Sequence, residues 1–166
     1  MKKARKTMKQ GKAKNALVAS FSFDSAVLVK RLLAAAPERA REVLIRRFGL
    51  GTNAQRETLE AIGDRSSITR ERVRQIEAAG LDAVRASKVF KEAAAAFEEI
   101  AEYIHSLGAI VPEEMLLSAL GKDEKNRNRF RFFLMVNSAF FRARETNDFL
   151  ARWHVDHTTA KHIHDA

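Results

Sequence analysis

The sequence predicts a mainly α-helical protein, in which a helix-turn-helix is followed by a winged-helix module with a small β-hairpin. Most of the chain consists of short segments with helical spacing of apolar residues, separated by turns that contain glycine or proline. Residues 58–85 then follow the order of a short helix, a tight turn and a long helix. Near the C-terminus, the segments FFRAR and FLARW alternate between apolar and polar residues across a short polar spacer, which is typical of a hairpin.

Charge and periodicity divide the chain into four predicted segments. Residues 1–24 form a disordered basic arm, 25–87 the helix-turn-helix, 88–154 the winged-helix module, and 155–166 a polar tail rich in histidine. Residues 1–23 carry seven basic residues and no acidic residue, which suits either an accessory contact to nucleic-acid phosphates or a solubilising tail. The chain of 166 residues has no cysteine, which excludes a disulfide framework. It also has no apolar run long enough to span a membrane, so we expect a cytoplasmic location.

Local signals predict where the first helices begin. Ser25 is expected to cap a helix through AVLVKRLLAAA, and Pro37 is expected at the first position of a second helix, PERAREVLIRRF. Thr58 is expected to cap the short helix TLEAIG, and Thr69 the long helix after it.

The long helix, which opens with TRERVRQIE, is predicted to present a polar face with the side-chain types that read DNA bases. Four residues share this face, at angles of about 0°, 40°, 100° and 140° around the helix axis: Arg70, Arg74, Glu71 and Gln75. Val73 and Ile76 lie roughly opposite and can dock on a core. Arginine pairs with guanine, glutamine with adenine, and a carboxylate accepts from the cytosine amine. The alternative is a solvated face laced by internal ion pairs.

Three segments of the first half resemble region four of bacterial sigma factors, especially the primary class: REVLIRRFGL (41–50), TLEAIG (58–63) and ITRERVRQIEAAGLDAVR (68–85). The resemblance implies that the long helix lies in the major groove of a minus-35 promoter element, with Arg70, Glu71, Arg74 and Gln75 against the bases. It also implies contacts to the DNA backbone, for which the candidates are Arg47, Thr58, Thr69 and Arg72. Phe48 and Leu50 match the surface that docks on the flap of the polymerase beta subunit.

The chain departs from this family pattern at several points. Ser66 replaces an aromatic residue in the turn, and Ala79 replaces a lysine that is common at its position. The segments that bind the polymerase coiled coil and melt the minus-10 element have no counterpart here, so we expect this chain not to be a complete sigma factor.

The second half resembles the HARE-HTH domain, a winged-helix module found in the delta subunit of some bacterial polymerases and in chromatin and restriction proteins. The resemblance is carried by FKEAAAAFEEIAEYIHSLGAIVPEEMLLSAL and NRFRFFLMVNSAFFRARETNDFLARW. Arg142, Arg144 and Arg152 lie on the predicted hairpin, where they either touch DNA or face solvent. Because basic and acidic residues nearly balance in this half, a protein partner is as plausible as DNA.

The sequence contains no recognisable catalytic set and no phosphate-cradling glycine motif, so we expect neither enzymatic activity nor a cofactor. Imidazole and carboxylate groups near the C-terminus could hold zinc or nickel, although no well-spaced pair fixes a tetrahedral site: His154, Asp156, His157, His162, His164 and Asp165. The alternative, a polar tail without metal, is the one we adopt.

The sequence thus predicts a bacterial transcription regulator that resembles a sigma factor and binds a specific double-stranded DNA sequence, a minus-35-like element. We also expect it to contact RNA polymerase and to associate with the nucleoid. Two alternatives stay open. One is a polymerase-bound accessory protein with little direct DNA readout, which would depend on Phe48 and Leu50 more than on Arg74. The other is the targeting module of a DNA-modification system. The oligomeric state, the target sequence and the direction of regulation are left undetermined.

Overall fold

The computed structural model describes residues 18–108, 110–146 and 150–155. Within these ranges the chain forms eight α-helices and three β-strands. The helices are α1 (Ser25–Ala34), α2 (Glu38–Phe48), α3 (Leu59–Ser66), α4 (Arg70–Ala86), α5 (Lys88–Glu92), α6 (Ala94–Leu107), α7 (Glu113–Leu120) and α8 (Glu124–Val136). The strands are β1 (Ile110–Pro112), β2 (Phe141–Ala143) and β3 (Arg152–His154). The predicted fold class, mainly helical with a small β-hairpin, is confirmed. None of the described helices combines the length and the apolar composition that a membrane span requires.

The first two helices begin one residue away from their predicted first positions. Asp24 rather than Ser25 caps α1, because its Oδ1 accepts hydrogen bonds from the backbone N–H groups of Ala26 and Val27, at 2.8 and 3.1 Å. Pro37 lies just before α2 and has extended backbone angles. Gly49 ends α2 in the left-handed conformation, with φ of 65°, which glycine adopts without strain.

Helices α3 and α4 form the predicted helix-turn-helix. Thr58 caps α3 by accepting from the N–H of Ala61 at 3.1 Å, and α3 continues three residues beyond its predicted end at Gly63. The turn between the helices, residues 67–69, is held by a hydrogen bond of 3.0 Å from Ile68 N to Gly63 O. A Cβ atom at Gly63 would lie 2.7 Å from the carbonyl oxygen of Ile68, so the close approach of turn and helix requires glycine.

The second half has the order of a winged helix: α6, β1, α7, α8, β2 and β3. The three strands form an antiparallel sheet in the order β1-β3-β2, with Ala143 opposite Arg152 and Val111 opposite Trp153. The β2–β3 pairing confirms the predicted hairpin, but the connection between these strands is longer than the four-residue spacer expected from sequence. Strand β1 was not predicted, because three residues are too few to show an alternating pattern.

Two hydrophobic cores stabilise the fold, and they do not divide at residue 87. The smaller core belongs to the helix-turn-helix and contains Ala40, Val43, Ile62, Val73 and Ile76. The larger core joins α1, an adjacent face of α2 and the end of α4 to the whole second half. Helix α4 therefore contributes its first turns to one core and its last turns to the other. The two-module division stays a prediction about origin and function, whereas the packing is continuous across it.

Helix α8 lies between the two halves and packs against α1, α2, α4 and α7. Phe132 and Phe133 are completely buried, and the ring of Phe132 meets that of Phe48 edge-on at 5.6 Å between centroids. Asn128 is also fully buried, and its side-chain amide donates to the carbonyl oxygens of Gly49 and Ala54, at 3.1 and 2.8 Å. A single amide on α8 thus fixes the loop that follows α2.

Phe21 and Phe23 pack against the larger core, so the arm that we predicted to be disordered through residue 24 ends earlier. Phe21 contacts Tyr103 and Phe130 at centroid distances of 5.9 and 5.3 Å. The backbone N–H of Ala19 donates to Ala119 O at 2.8 Å. Apolar aromatic residues at the end of a basic segment explain this attachment, and residues 1–17 lie outside the described part of the chain.

We predict that Asn128→Ala destabilises the protein by on the order of 2–3 kcal/mol, because two buried carbonyl oxygens lose their donor. Urea unfolding followed by circular dichroism measures the change in the free energy of unfolding. Met135→Ala, at an exposed position on the same helix, is the control and should change stability by less than roughly 1 kcal/mol. Equal stability of Asn128→Ala and the unmodified chain would show that the amide does not fix the loop.

Candidate nucleic-acid interface

The face of α4 that carries the four predicted base-contacting residues (the reading face) is exposed over the first half of the helix. Arg70, Glu71, Arg74 and Gln75 are all exposed, as the sequence predicted for residues on one face. Farther along the helix, Leu81 lies in the same angular sector as Arg70 and Arg74, at about 20°, but it is only 8% exposed. The second half of the chain covers it, so roughly two to three turns remain available to enter a groove.

Arg85 holds the covered end of α4 in place. Its Nε donates to Val136 O at 2.7 Å and its Nη2 donates to Met135 O at 3.1 Å. These carbonyls belong to the last turn of α8, where they lack partners within the helix and where a cation is favoured by the helix dipole. No local pattern predicted this contact, which joins residues 50 and 51 positions apart.

In the unbound chain the predicted base-reading side chains bond to each other. Glu71 accepts two hydrogen bonds from Arg74, at 2.9 Å from Nε and 2.7 Å from Nη2. Arg72 donates to Gln75 Oε1 at 3.2 Å. The polar face of the unbound chain is therefore a solvated face with internal ion pairs, which is the alternative that the sequence left open. The Glu71–Arg74 pair also preorganises Arg74, because Glu71 fixes the plane of the guanidinium.

Pairing between Glu71 and Arg74 shifts the pKa values of both groups. The hydrogen bond from Arg74 holds the pKa of Glu71 below its usual value, with charge attraction adding to the effect. The same hydrogen bond raises the pKa of Arg74. Both groups therefore remain charged at neutral pH, and the pair is exposed to solvent, where such an ion pair contributes little to stability and is easily broken.

Two of the predicted backbone-contacting residues are N-caps. The hydroxyl of Thr69 accepts from the N–H of Arg72 at 3.1 Å, as that of Thr58 does from Ala61. Both side chains are exposed, and a hydroxyl that accepts from the backbone still carries a hydrogen that it can donate to a phosphate oxygen. Arg72 is exposed on the flank of the reading face, about 100° from Glu71 and about 60° from Gln75 around the helix axis. These positions suit backbone contacts, although their role stays a prediction.

Arg47 lies on the opposite flank and is engaged within the protein. Its Nη1 donates to Glu57 O at 3.2 Å, and its Nε lies 3.4 Å from Glu77 Oε1. Burial raises the pKa of Glu77, and the nearby Arg47 guanidinium opposes that rise. A DNA contact by Arg47 therefore has to share this guanidinium with Glu77.

The two predicted polymerase-docking residues differ in exposure. Phe48 is 7% exposed and packs on Phe132, so it presents no surface to a partner while α8 stays in place. Leu50 is half-buried and borders an apolar cavity of about 460 Å³ between α1 and the loop after α2. Basic side chains stand at the edge of that cavity: Lys30, Lys125 and Arg129. The docking prediction therefore depends on Leu50 rather than on Phe48.

The second half does not present a recognition helix of its own. Helices α7 and α8 are joined by a three-residue turn that begins with Gly121, which is the arrangement of a helix-turn-helix. However, α8 is buried against the first half along most of its length. Of the predicted wing arginines, Arg142 and Arg144 are exposed and Arg152 is half-buried; Arg142 is bonded to Glu113.

The histidine-rich C-terminal segment, predicted to be a polar tail without metal, lies largely outside the described residues, which include His154 alone of its four histidines. His154 is a buried residue of β3, and its ring stacks on that of Phe141 at 5.2 Å. Within ranges 18–108, 110–146 and 150–155, no group of three or more potential ligands is placed to hold a metal ion.

The fold and the exposed reading face of α4 define a helix-turn-helix protein whose second helix presents an open polar face. Residues 32–86 match the family model of sigma-70 region 4. RNA polymerase sigma factor RpoS of Coxiella burnetii (strain RSA 493 / Nine Mile phase I) is 51% identical over 57 residues, which are 34% of this chain and 16% of that protein. No solved structure matches the chain. These similarities support a sigma-factor-like DNA-binding role in transcription, whereas the resemblance of the second half to HARE-HTH stays a prediction.

We predict that Arg74→Ala raises the pKa of Glu71 toward its ordinary value, because the carboxylate loses its two hydrogen bonds from the guanidinium. A carbon-13 NMR titration of the glutamate carboxyl groups measures this change. Arg65→Ala, which removes an exposed arginine from α3, is the control and should leave the Glu71 titration in place. An unchanged pKa in Arg74→Ala would mean that the two side chains are not paired in solution.

Proposed function

We propose that this protein is a sequence-specific DNA-binding transcription regulator that inserts the first half of α4 into the major groove of a minus-35-like element. The observation that carries the proposal is the exposed face of α4, which holds Arg70, Glu71, Arg74 and Gln75 within the segment that matches sigma-70 region 4. In this proposal Arg70 and Arg74 bond guanine edges, Gln75 bonds adenine, and Glu71 orients Arg74 or accepts from cytosine. Such a protein associates with the nucleoid and acts by binding rather than by catalysis.

The first half of α4 is suited to this role because its backbone is already fixed. The Thr69 cap and the contacts of Val73 and Ile76 in the smaller core hold the first turns, and the larger core holds the last ones. A recognition helix that is ordered before binding loses little conformational entropy on association. Base contacts then add specificity to the non-specific attraction of a basic protein for phosphates.

A second candidate function is favoured by the apolar cavity beside Leu50. Its floor consists of aliphatic side chains of α1 and α2, namely Val27, Val29, Leu33 and Ile45. With three basic residues at its edge, this cavity fits an apolar segment that carries acidic residues. We propose that it is where RNA polymerase docks, through the flap of its beta subunit, either in addition to DNA binding or instead of it.

We predict that Arg74→Ala reduces the preference for a minus-35-like hexamer over a scrambled duplex, at a cost of roughly 1–3 kcal/mol in specific binding. Fluorescence anisotropy with both duplexes, at low and near-physiological salt, measures the ratio of the two dissociation constants. The ratio is the informative quantity, because the substitution also leaves the Glu71 carboxylate without its counter-charge and weakens binding to any DNA.

Arg72→Ala is the matched control, since it removes a guanidinium from the same helix at a flanking position. It should weaken both duplexes by the same factor and leave the ratio unchanged. If Arg74→Ala also loses the same factor on both duplexes, base readout by Arg74 is excluded.

We predict that Leu50→Asp abolishes co-purification with core RNA polymerase while Arg74→Ala retains it, because the aspartate places a charge in the apolar cavity. A pull-down with purified core enzyme measures this difference. Thr52→Asp, at an exposed position in the same loop, controls for added charge. Equal retention of Leu50→Asp and the unmodified chain would remove the cavity as the docking surface.

A further inference from the structure

A cluster of four arginines lies where the helix-turn-helix meets the wing. They border a cavity of about 160 Å³, and each comes from a different element: Arg47 from α2, Arg56 from the loop before α3, Arg131 from α8 and Arg142 from β2. Two carboxylates, Glu77 of α4 and Glu113 of α7, complete its charged lining. The cluster therefore exists only when the two halves of the chain are packed together.

Three of these arginines are paired with carboxylates, and the fourth is not. Arg47 lies 3.4 Å from Glu77, Arg131 lies 2.8 Å from Glu124, and Arg142 bonds to Glu113. These contacts leave three guanidinium groups close to neutralised.

Arg56 forms no hydrogen bond or ion pair within the part of the chain that the structure describes. Partial burial lowers the pKa of Arg56, and repulsion from the guanidinium of Arg131 lowers it further. In addition, the buried Nε of Arg131 has no hydrogen-bond acceptor among the described residues. The site thus holds one uncompensated positive charge and a donor without an acceptor.

The cavity adjoins the reading face of α4. Glu77, which lines it, lies about 60° around the helix axis from Arg74. Arg72 lies on the other flank of the same face. Because base contacts in the major groove are bordered by the phosphates of the two strands, a duplex read by Arg74 brings one backbone toward the arginine cluster.

We infer that this cavity binds a backbone phosphate of the duplex that α4 reads, so that the second half of the chain contributes to the DNA contact through Arg131 and Arg142. This inference rests on the proposed function and names a second part of its interface. The single uncompensated charge matches the single negative charge of a phosphodiester, whereas a free phosphate monoester carries about 1.5 to 2 negative charges at neutral pH. The phosphate oxygens would accept from Arg56 and from Nε of Arg131.

The test measures duplex binding of the full chain by anisotropy over a series of salt concentrations. Arg56→Gln should weaken the hexamer and scrambled duplexes by the same factor and reduce the slope of log K against log salt by about 0.9, the value for one phosphate contact. Arg56→Lys keeps the charge and should retain most of the slope. Lys91→Gln, which removes an exposed charge from α5, should leave the slope unchanged.

Glu113→Gln should change duplex affinity in the opposite direction from Arg56→Gln. It removes a negative charge from the cavity while keeping an oxygen that can accept from Arg142 and Trp153, so both duplexes should bind more tightly. A purely structural role for this cluster would weaken binding in every variant. A slope of Arg56→Gln equal to that of the unmodified chain would overturn the inference.

The failure of the inference is distinguishable from the failure of the proposed function. If the unmodified chain shows no preference for the hexamer, sequence-specific reading fails, yet the salt slope on the scrambled duplex still tests the phosphate site. Inorganic phosphate at constant ionic strength provides the second arm, with the Arg56 side-chain NMR signals as the readout. Phosphate binding that Arg56→Gln abolishes, with an unchanged duplex slope, would assign the cavity to a free phosphoryl ligand and overturn the duplex assignment.

Discussion

The burial of α8 between the two halves is the contact on which the rest of this structure depends. Phe132 and Phe133 supply much of the shared apolar surface, at roughly 1.5–3 kcal/mol for each fully buried side chain. Asn128 adds direction to this non-directional attraction, since its amide must meet two particular carbonyl groups of the loop after α2. The hydrophobic contact holds the halves together, and the buried amide determines how they are aligned. Arg131, one turn farther along α8, is thereby brought to the arginine cluster.

Because of this packing, the second helix is exposed in one helix-turn-helix pair and buried in the other. In the first pair, α3 and α4, the polar face of the second helix is left open over its first turns. In the second pair, α7 and α8, the second helix is buried against the first half of the chain, so it cannot enter a DNA groove. Within its described residues the chain thus contains two helix-turn-helix arrangements, of which the first leaves the polar face of its second helix exposed. The wing, in contrast, stays at the surface, where Arg142 and Arg144 are exposed.

Structural features that depend on neighbouring residues were predicted correctly from the sequence, whereas features that depend on distant residues were not. The caps at Thr58 and Thr69 and the polar face of α4 follow from residues within a few positions of each other, and the structure contains them. The predicted end of α3 at Gly63 is three residues too early, and the missing side chain at Gly63 serves the packing of the turn instead. The burial of Phe48 and the arginine cluster were not predicted. Phe48 packs on Phe132, which lies 84 residues later, and Arg47 and Arg56 meet Arg131 across 84 and 75 residues. No local pattern encodes such distant contacts.

Helix α4 is a single rigid element with one end in each core, so its amide hydrogen exchange and the unfolding of the two halves are linked. The amide groups of its last turns, around Leu81 and Val84, can open to solvent only if α8 also separates from the first half. Local fraying is then limited to the N-terminal turns, where the reading residues are. Because α2 and α4 belong to both cores, loss of one core removes support from the other, and the two halves are expected to unfold in one transition.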